Sequence, residues 1–239
     1  GKVGATVFLM VDGELIHSYY DAGTYGEVLE AGRIGLRHWA GLDASYKQFK
    51  VYRLLRKGEK EVSDLLEPRG KILFEEKFAD LKNWRHEGAG RMLLDEKEKG
   101  AMRLEIVGSR QGRAGSQAFC LQDFPDNIAV EYDIKVLTTK GLVLSFVAIC
   151  GAKGEDMFDP KMPERQGIFN DYVRNPLLRS YHVSISRYGD KGVHTGVSNF
   201  RRNPGLVMMG QGPDLCEKTG KWYRIRLVKD GARLQLGVN

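Results

Sequence analysis

No stretch of eighteen consecutive apolar residues occurs among the 239 residues, so no segment has the length and hydropathy of a membrane-spanning helix, and no membrane partner is expected. Cysteine is scarce. Cys120, Cys150 and Cys216 are the only three, widely spaced and in no Cys-x-x-Cys or Cys/His pattern, which argues against a structural zinc. Cys120 and Cys150 end apolar runs and read as buried thiols. One disulfide with a thiol left over is the alternative, and the count leaves the compartment open between cytoplasm and periplasm or secretion. His-Glu-x-x-His, Gly-x-Ser-x-Gly, phosphate-loop and dinucleotide fingerprints are all missing. The net charge of +6 comes without a Lys/Arg-rich block or nucleic-acid-binding motif, so a nucleic-acid partner is not expected either. Scattered arginines fit a groove for an acidic small molecule or sugar acid better.

Helical periodicity is nearly absent too, and what remains is strand. The length suits one large all-β domain, or two small ones, able to bury a core without disulfides. Residues 4–20 read as two strands turned at Val11-Asp12-Gly13, and the opening run meets Asp12 too soon for a signal peptide. In GRIGLRHW, Ile34, Leu36 and His38 share one face, with Arg33, Arg37 and Trp39 on the other. Between Arg56 and Gly70 the charged RKGEKEVSDLLEPRG contains the one convincing helical segment, read as a linker or short surface helix. Strands then resume: Met102 and Leu104 point inward, and GLVLSFVAI reads as a central strand buried on both faces. From Cys150 to Leu178 the chain is irregular, a length of loop that is usually functional. Roughly twelve to fifteen short strands make an all-β sandwich.

Residues 179–205, RSYHVSISRYGDKGVHTGVSNFRRNPG, concentrate the polar chemistry. Alternation puts Tyr181, Val183 and Ile185 toward a core and His182, Ser184 and Ser186 on the opposite face, with small hydroxyls leaving open space beside the histidine. RYGDKG is a turn, and VSNFRRNPG the returning strand, which brings Asn199, Arg201 and Asn203 alongside.

The ends match each other. Residues 4–12, GATVFLMVD, and 231–239, GARLQLGVN, share Gly-Ala-x-apolar-x-Leu-x-Val-Asn/Asp. From Ile72 to Val238 the chain also resembles the bacterial DUF1961 (YesU-like) family, through NWRHEG at 83–88, YHVSISR at 181–187, NFRRNPG at 199–205 and KWYRIRLVKDG at 221–231. A second block of resemblance covers residues 12–39 and 46–54, which the family carries after the first block and this chain carries before it. The resemblance implies a concanavalin A-like jelly-roll sandwich of two antiparallel sheets, of a kind found beside polysaccharide-utilisation enzymes. The order of blocks implies a single domain over 1–239, circularly permuted or cut across two tandem copies. Residues 1–55 would then be C-terminal-type strands, 56–70 the charged linker, and 71–239 the N-terminal-type and central strands.

On such a fold a sheet face is the usual carbohydrate platform, with aromatic faces for C–H surfaces and planar polar groups for hydroxyls. Trp39, Trp84 and Trp222 are candidates for the first role. Glu131 and Asp133 begin the E-x-D-x-x-E spacing of laminarinase-like hydrolases, but Val136 stands where the second glutamate is required, so the retaining pair is missing. A lyase needs a group to neutralise a uronate carboxylate and a base to reach the α-proton. His182, Tyr172 and Asp171 are the catalytic candidates on that reading, and Arg187, Asn199, Arg201, Asn203, Glu131, Arg37 and Trp84 the substrate-binding ones. Residues 155–159 with Asp171 offer oxygens for a structural calcium ion, without EF-hand spacing, and no other cofactor is implied. The expected partner is an oligosaccharide or polysaccharide. A glycoside hydrolase or polysaccharide lyase acting on uronic-acid-containing oligosaccharides is the leading reading. A non-catalytic carbohydrate-binding module is the alternative, and an interaction domain that only shares the fold comes third. The sequence leaves the oligomeric state open.

Overall fold

The computed structural model describes residues 6–20, 23–39, 41–54, 70–106, 115–230 and 233–238. Its elements in chain order are β1 (Thr6–Tyr20), β2 (Arg33–Trp39), β3 (Ala44–Arg53), β4 (Ile72–Glu76), β5 (Trp84–Gly88), β6 (Arg91–Leu94), β7 (Ala101–Glu105), β8 (Ser116–Cys120), β9 (Ile128–Val136), β10 (Gly141–Gly151), α1 (Phe169–Val173), β11 (Leu178–Tyr188), β12 (Val197–Asn203), β13 (Val207–Pro213), β14 (Trp222–Asp230) and β15 (Arg233–Val238). The strands form two antiparallel sheets stacked as a jelly-roll sandwich. One runs β1-β15-β14-β9-β3-β7-β6 with β4 on β3, the other β13-β12-β11-β10-β2-β8-β5. The expected linker helix at 56–70 lies outside the described residues but for Gly70, and the one helix described is α1, five residues long.

Period-two alternation builds the core between the sheets. Ile34, Leu36, Val143, Tyr181, Val183 and Phe200 come from the seven-stranded sheet, and Tyr46, Phe49, Met102, Leu104, Tyr132 and Ile225 from the other. Phe49 stacks on Tyr132 at 5.8 Å and meets the edge of Trp84 at 5.0 Å, the offset and edge-on geometries that aromatic rings prefer. His38 enters this core with the apolar set and hydrogen-bonds Tyr46 Oη at 2.6 Å. The three cysteines are buried and none is in a disulfide, so the disulfide alternative is not realised.

As its apolar run foretold, β10 is the middle strand of its sheet and buried on both faces, with only Leu142 half-buried. Its second cover is the segment that sequence left as loop. Met157, Tyr172 and Val173 close over Phe119, Leu144, Phe146 and Ile149 as a second apolar cluster on the outer face. Gly35 allows this: a Cβ there would overlap the Phe119 ring, which lies across the strand at that point.

Residues 6–20 are not the two separate strands expected but one assigned strand, whose pairing with β15 shifts register between Val11 and Leu15. Its first part shares a register with β15. Thr6 and Arg233 both face Asp230, Leu9 and Leu236 both face Leu227, and Val11 and Val238 both face Ile225. The matched end sequences are thus aligned on the same residues of β14.

Gly35→Ala should lower unfolding free energy by about 1–3 kcal/mol through overpacking against Phe119. A urea midpoint equal to that of the unaltered protein would contradict the close approach.

Candidate functional site

Strand register sets two rungs of side chains across the outer face of the seven-stranded sheet. One runs Glu87, Gln117, Arg37, Leu144, Ser184, Asn199, Gln211 from β5 to β13. The next runs Arg85, Phe119, Gly35, Phe146, His182, Arg201, Met208. Facing residues on adjacent strands stand about 5 Å apart, so each rung is a continuous row of contacts. The middle of the face is apolar and covered, while the β11–β13 end is polar and opens toward Gln211, which is exposed.

The cover is held by one carboxylate. Arg165 Nε and Nη2 donate to Glu87 at 3.0 and 2.8 Å, and Tyr172 Oη donates to it at 2.7 Å. Gly115 N and Gln117 Nε2 donate to Gly167 O at 2.9 and 3.0 Å, tying the segment to β8 and the loop before it. Phe169 then lies 4.9 Å from the Arg37 guanidinium and 6.4 Å from the His182 ring. Sequence expected open space beside His182. Instead the imidazole is 2% exposed, because aromatic side chains of the 157–173 segment fill that space.

Burial sets the protonation states. His182 is held down to about 3, first by desolvation and then by the charges of Arg201 and Arg37, so its ring is neutral at pH 7. Asn203 Nδ2 lies 2.9 Å from His182 Nδ1 and donates to Ser180 Oγ at 2.8 Å. Tyr172 is pushed up by burial and by the adjacent Glu87 carboxylate, which keeps the phenol protonated. Arg37 is 1% exposed and lowered to about 10 by desolvation, and its Nε and Nη2 have no hydrogen-bond acceptor among the described residues. Arg201, half-buried, donates to Leu206 O at 2.7 Å and is lowered by burial and by the charge of Arg187. Arg187 donates to Val197 O at 2.9 Å. Asn199 sits between Gln211 Nε2 at 2.9 Å and, with its amide turned, Arg187 Nη1 at 3.0 Å.

The fold therefore brings His182, Arg37, Arg187, Asn199, Arg201 and Asn203 to one face, with Tyr172 in its cover. Asp171 belongs to the same cover, half-buried, and accepts from Gln166 N at 3.1 Å. Two other candidates lie elsewhere. Trp84, expected as a sugar platform, is buried between the sheets against Phe49 and Phe78 and donates to Glu76 at 3.3 Å, so it does not reach this face. Glu131 is on the opposite sheet, 3.3 Å from Arg226, and its neighbour Asp133 accepts from Arg224. In the 155–159 loop Asp156 is occupied by Arg33 and Glu155 by Lys153 N. No group of three or more His, Cys, Asp or Glu is arranged for a metal among the described residues. Sequence reasoning missed Glu87 and Arg165, although alternation in WRHEG already placed Arg85 and Glu87 opposite Trp84.

Fold and face together define an antiparallel β-sandwich with a cationic, amide-rich outer surface. The chain belongs to the family described as "Domain of unknown function (DUF1961)", whose model matches residues 71–239. It is 29% identical over 166 residues to "Uncharacterized protein YesU" of Bacillus subtilis (strain 168), covering 67% of this chain and 72% of that one. Among solved structures it is similar to "Crystal Structure of Protein of Unknown Function with Galectin-like Fold from Bacillus subtilis". That match has a TM-score of 0.47 and 22% identity, over 66% of this chain and 89% of the other.

Trp84→Ala should cost about 3–5 kcal/mol of stability, as a core truncation does. A loss under 1 kcal/mol in urea titration would place the indole outside the core. Acid should also destabilise the fold through histidine. His38, like His182, is lowered from 6.5 to about 3 by burial. The unfolded chain binds protons below pH 6.5 that the folded chain refuses, so this stability is complete above that pH and lost as pH falls toward 3. Between pH 6.5 and 5 the unfolding free energy should drop with a slope that steepens from about 0.7 toward about 1.4 kcal/mol per pH unit for each histidine. A flat profile over that window would show that neither is held neutral.

Proposed function

We propose that this protein binds acidic oligosaccharides, those carrying uronic acids, at the β11–β13 end of the seven-stranded sheet's outer face. One observation carries the reading. Arg37, Arg187 and Arg201 gather on that face, and none has a carboxylate within ion-pair distance among the described residues. Buried or half-buried cations outside any ion pair raise the potential of the surface above them and favour an anionic ligand, with the Asp171 charge in the cover offsetting part of that of Arg37. Arg187 and Arg201 are the groups within reach of a carboxylate, and Arg37 adds its field from beneath the cover. The exposed Gln211 amide supplies a donor and acceptor pair of the kind that sugar hydroxyls need.

The same features support binding over turnover. His182 is a weak base at its lowered pKa, covered by Phe169, with Nδ1 engaged by Asn203. Tyr172 is occupied by Glu87, and Asp171 accepts from a backbone N–H. A base and acid poised on either side of a glycosidic bond would need a different state of the 157–173 segment.

The test is calorimetric titration with uronic-acid oligomers and neutral hexose oligomers of the same length. Arg187→Gln and Arg201→Gln should each weaken the acidic ligand by about tenfold or more while leaving the neutral one nearly unchanged, since a charge-assisted pair is lost. Equal weakening of both ligands removes the acidic specificity, and no binding of either removes the carbohydrate reading. New reducing ends, or absorbance from unsaturated uronates, would replace binding by hydrolysis or elimination.

A further inference from the structure

Arg37 is buried with Nε and Nη2 lacking any acceptor among the described residues. Those two atoms form the edge with which a guanidinium takes a carboxylate side-on. Elsewhere this protein uses the same edge in that way. Arg33 meets Asp156 through Nε at 2.9 Å and Nη2 at 2.5 Å, and Arg103 meets Asp43 at 3.0 and 2.5 Å. Arg165 holds Glu87 likewise. Facing Arg37 on β8 is Gln117, fully buried, whose Nε2 serves Gly167 O and whose Oε1 has no donor among the described residues. A donor edge and an acceptor thus stand on paired strands without meeting each other. Gly115 passes the same guanidinium, and a Cβ there would lie 2.6 Å from Nη2, so glycine keeps that side clear.

A uronic acid carries the complement of both groups, a carboxylate for the edge and ring hydroxyls for the amide oxygen. Between this place and the open β11–β13 end stands the half-buried Phe169 ring, in contact with Arg37 on one side and His182 on the other. The segment is fastened to Glu87 by Arg165 before the ring and Tyr172 after it. The ring itself is held only by packing, and α1, which carries it, begins without a side-chain cap. A side-on carboxylate pair is stronger than the ring–cation contact it would replace.

We propose that Arg37 and Gln117 receive a second uronate, and that the Phe169 ring is a gate which a longer acidic oligosaccharide displaces to reach them. Register sets the length. From Arg37 the rung runs through Leu144 and Ser184 to Asn199, which Arg187 adjoins, three strand spacings or about 14 Å away. A disaccharide at the open end does not cover that span, and a tetrasaccharide does. Asp171, in the cover, acts on Arg37 without forming an ion pair and opposes an incoming carboxylate. This inference rests on the carbohydrate reading above and extends it from one acidic group to two.

The experiment measures, by calorimetry on the full chain, the disaccharide and tetrasaccharide of one 1,4-linked uronic acid, with the neutral hexose tetrasaccharide as control. The unaltered protein should bind the acidic tetrasaccharide about tenfold more tightly than the disaccharide, through one further charge-assisted contact. Arg37→Gln should abolish that difference, while the disaccharide, which feels Arg37 only through its field, weakens far less. Phe169→Ala should tighten the acidic tetrasaccharide by about threefold or more, since no ring has to move, and leave the other two ligands unchanged. Asp171→Asn should tighten it too, and these two variants decide the matter if Arg37→Gln does not fold. Equal affinity for the two acidic ligands, or a difference that survives Arg37→Gln, overturns the second receptor and leaves the cationic face standing. So does a Phe169→Ala variant that binds the tetrasaccharide no better than the unaltered protein. Binding of neither acidic ligand overturns both readings.

Discussion

Arg165 and Glu87 meet through two hydrogen bonds, with each side chain 5% exposed, and the outer face depends on that meeting. Bringing two charges out of water is costly, and the cost is offset only when geometry is good and the remaining lone pairs are used. Here they are: Tyr172 takes the carboxylate as well, and Arg165 Nη1 donates to Met157 O at 2.9 Å. Clamped this way, the 157–173 segment seals Phe119, Leu144 and Phe146 from solvent. The seal in turn desolvates His182 and Arg37, so a pair on the β5 edge decides protonation states several strands away. Losing one partner alone would leave the other charge buried and bare, a loss of about 3–5 kcal/mol in comparable cases.

The strand architecture was legible because its signal is local. Alternation over six residues was enough to orient Tyr181, Val183 and Ile185 inward, and the unbroken apolar run of β10 marked the middle of a sheet. Reading that run as buried on both faces implied a second cover, but nothing in the Gly- and Pro-rich 150–178 stretch named it. Its contacts are long-range. Arg165 meets Glu87 across 78 residues, and Tyr172 meets the same carboxylate across 85.

The site was legible in part for the same reason. Hairpin pairing of β11 with β12 put Arg201 opposite His182 and Asn199 opposite Ser184, as the alternation required. Composition misled where it stood alone. Trp84 drew notice as an aromatic, yet its phase in a five-residue strand sends it inward and sends Glu87 out. Glu131 had the right chemistry on the wrong sheet, since facing a solvent side says nothing of which of two outer surfaces is meant. That Arg37 Nε and Nη2 lack acceptors among the described residues could not be read from residues at all, because it is a property of what the packing leaves out.

The shared register of residues 6–11 and 233–238 on β14 bears on how that edge responds to change. β9 pairs with Trp222–Arg224, while Ile225–Asp230 pair with both segments. A substitution on that stretch of β14 is therefore felt by two segments of like sequence at once, so the effects of changes in the three are coupled and do not add site by site.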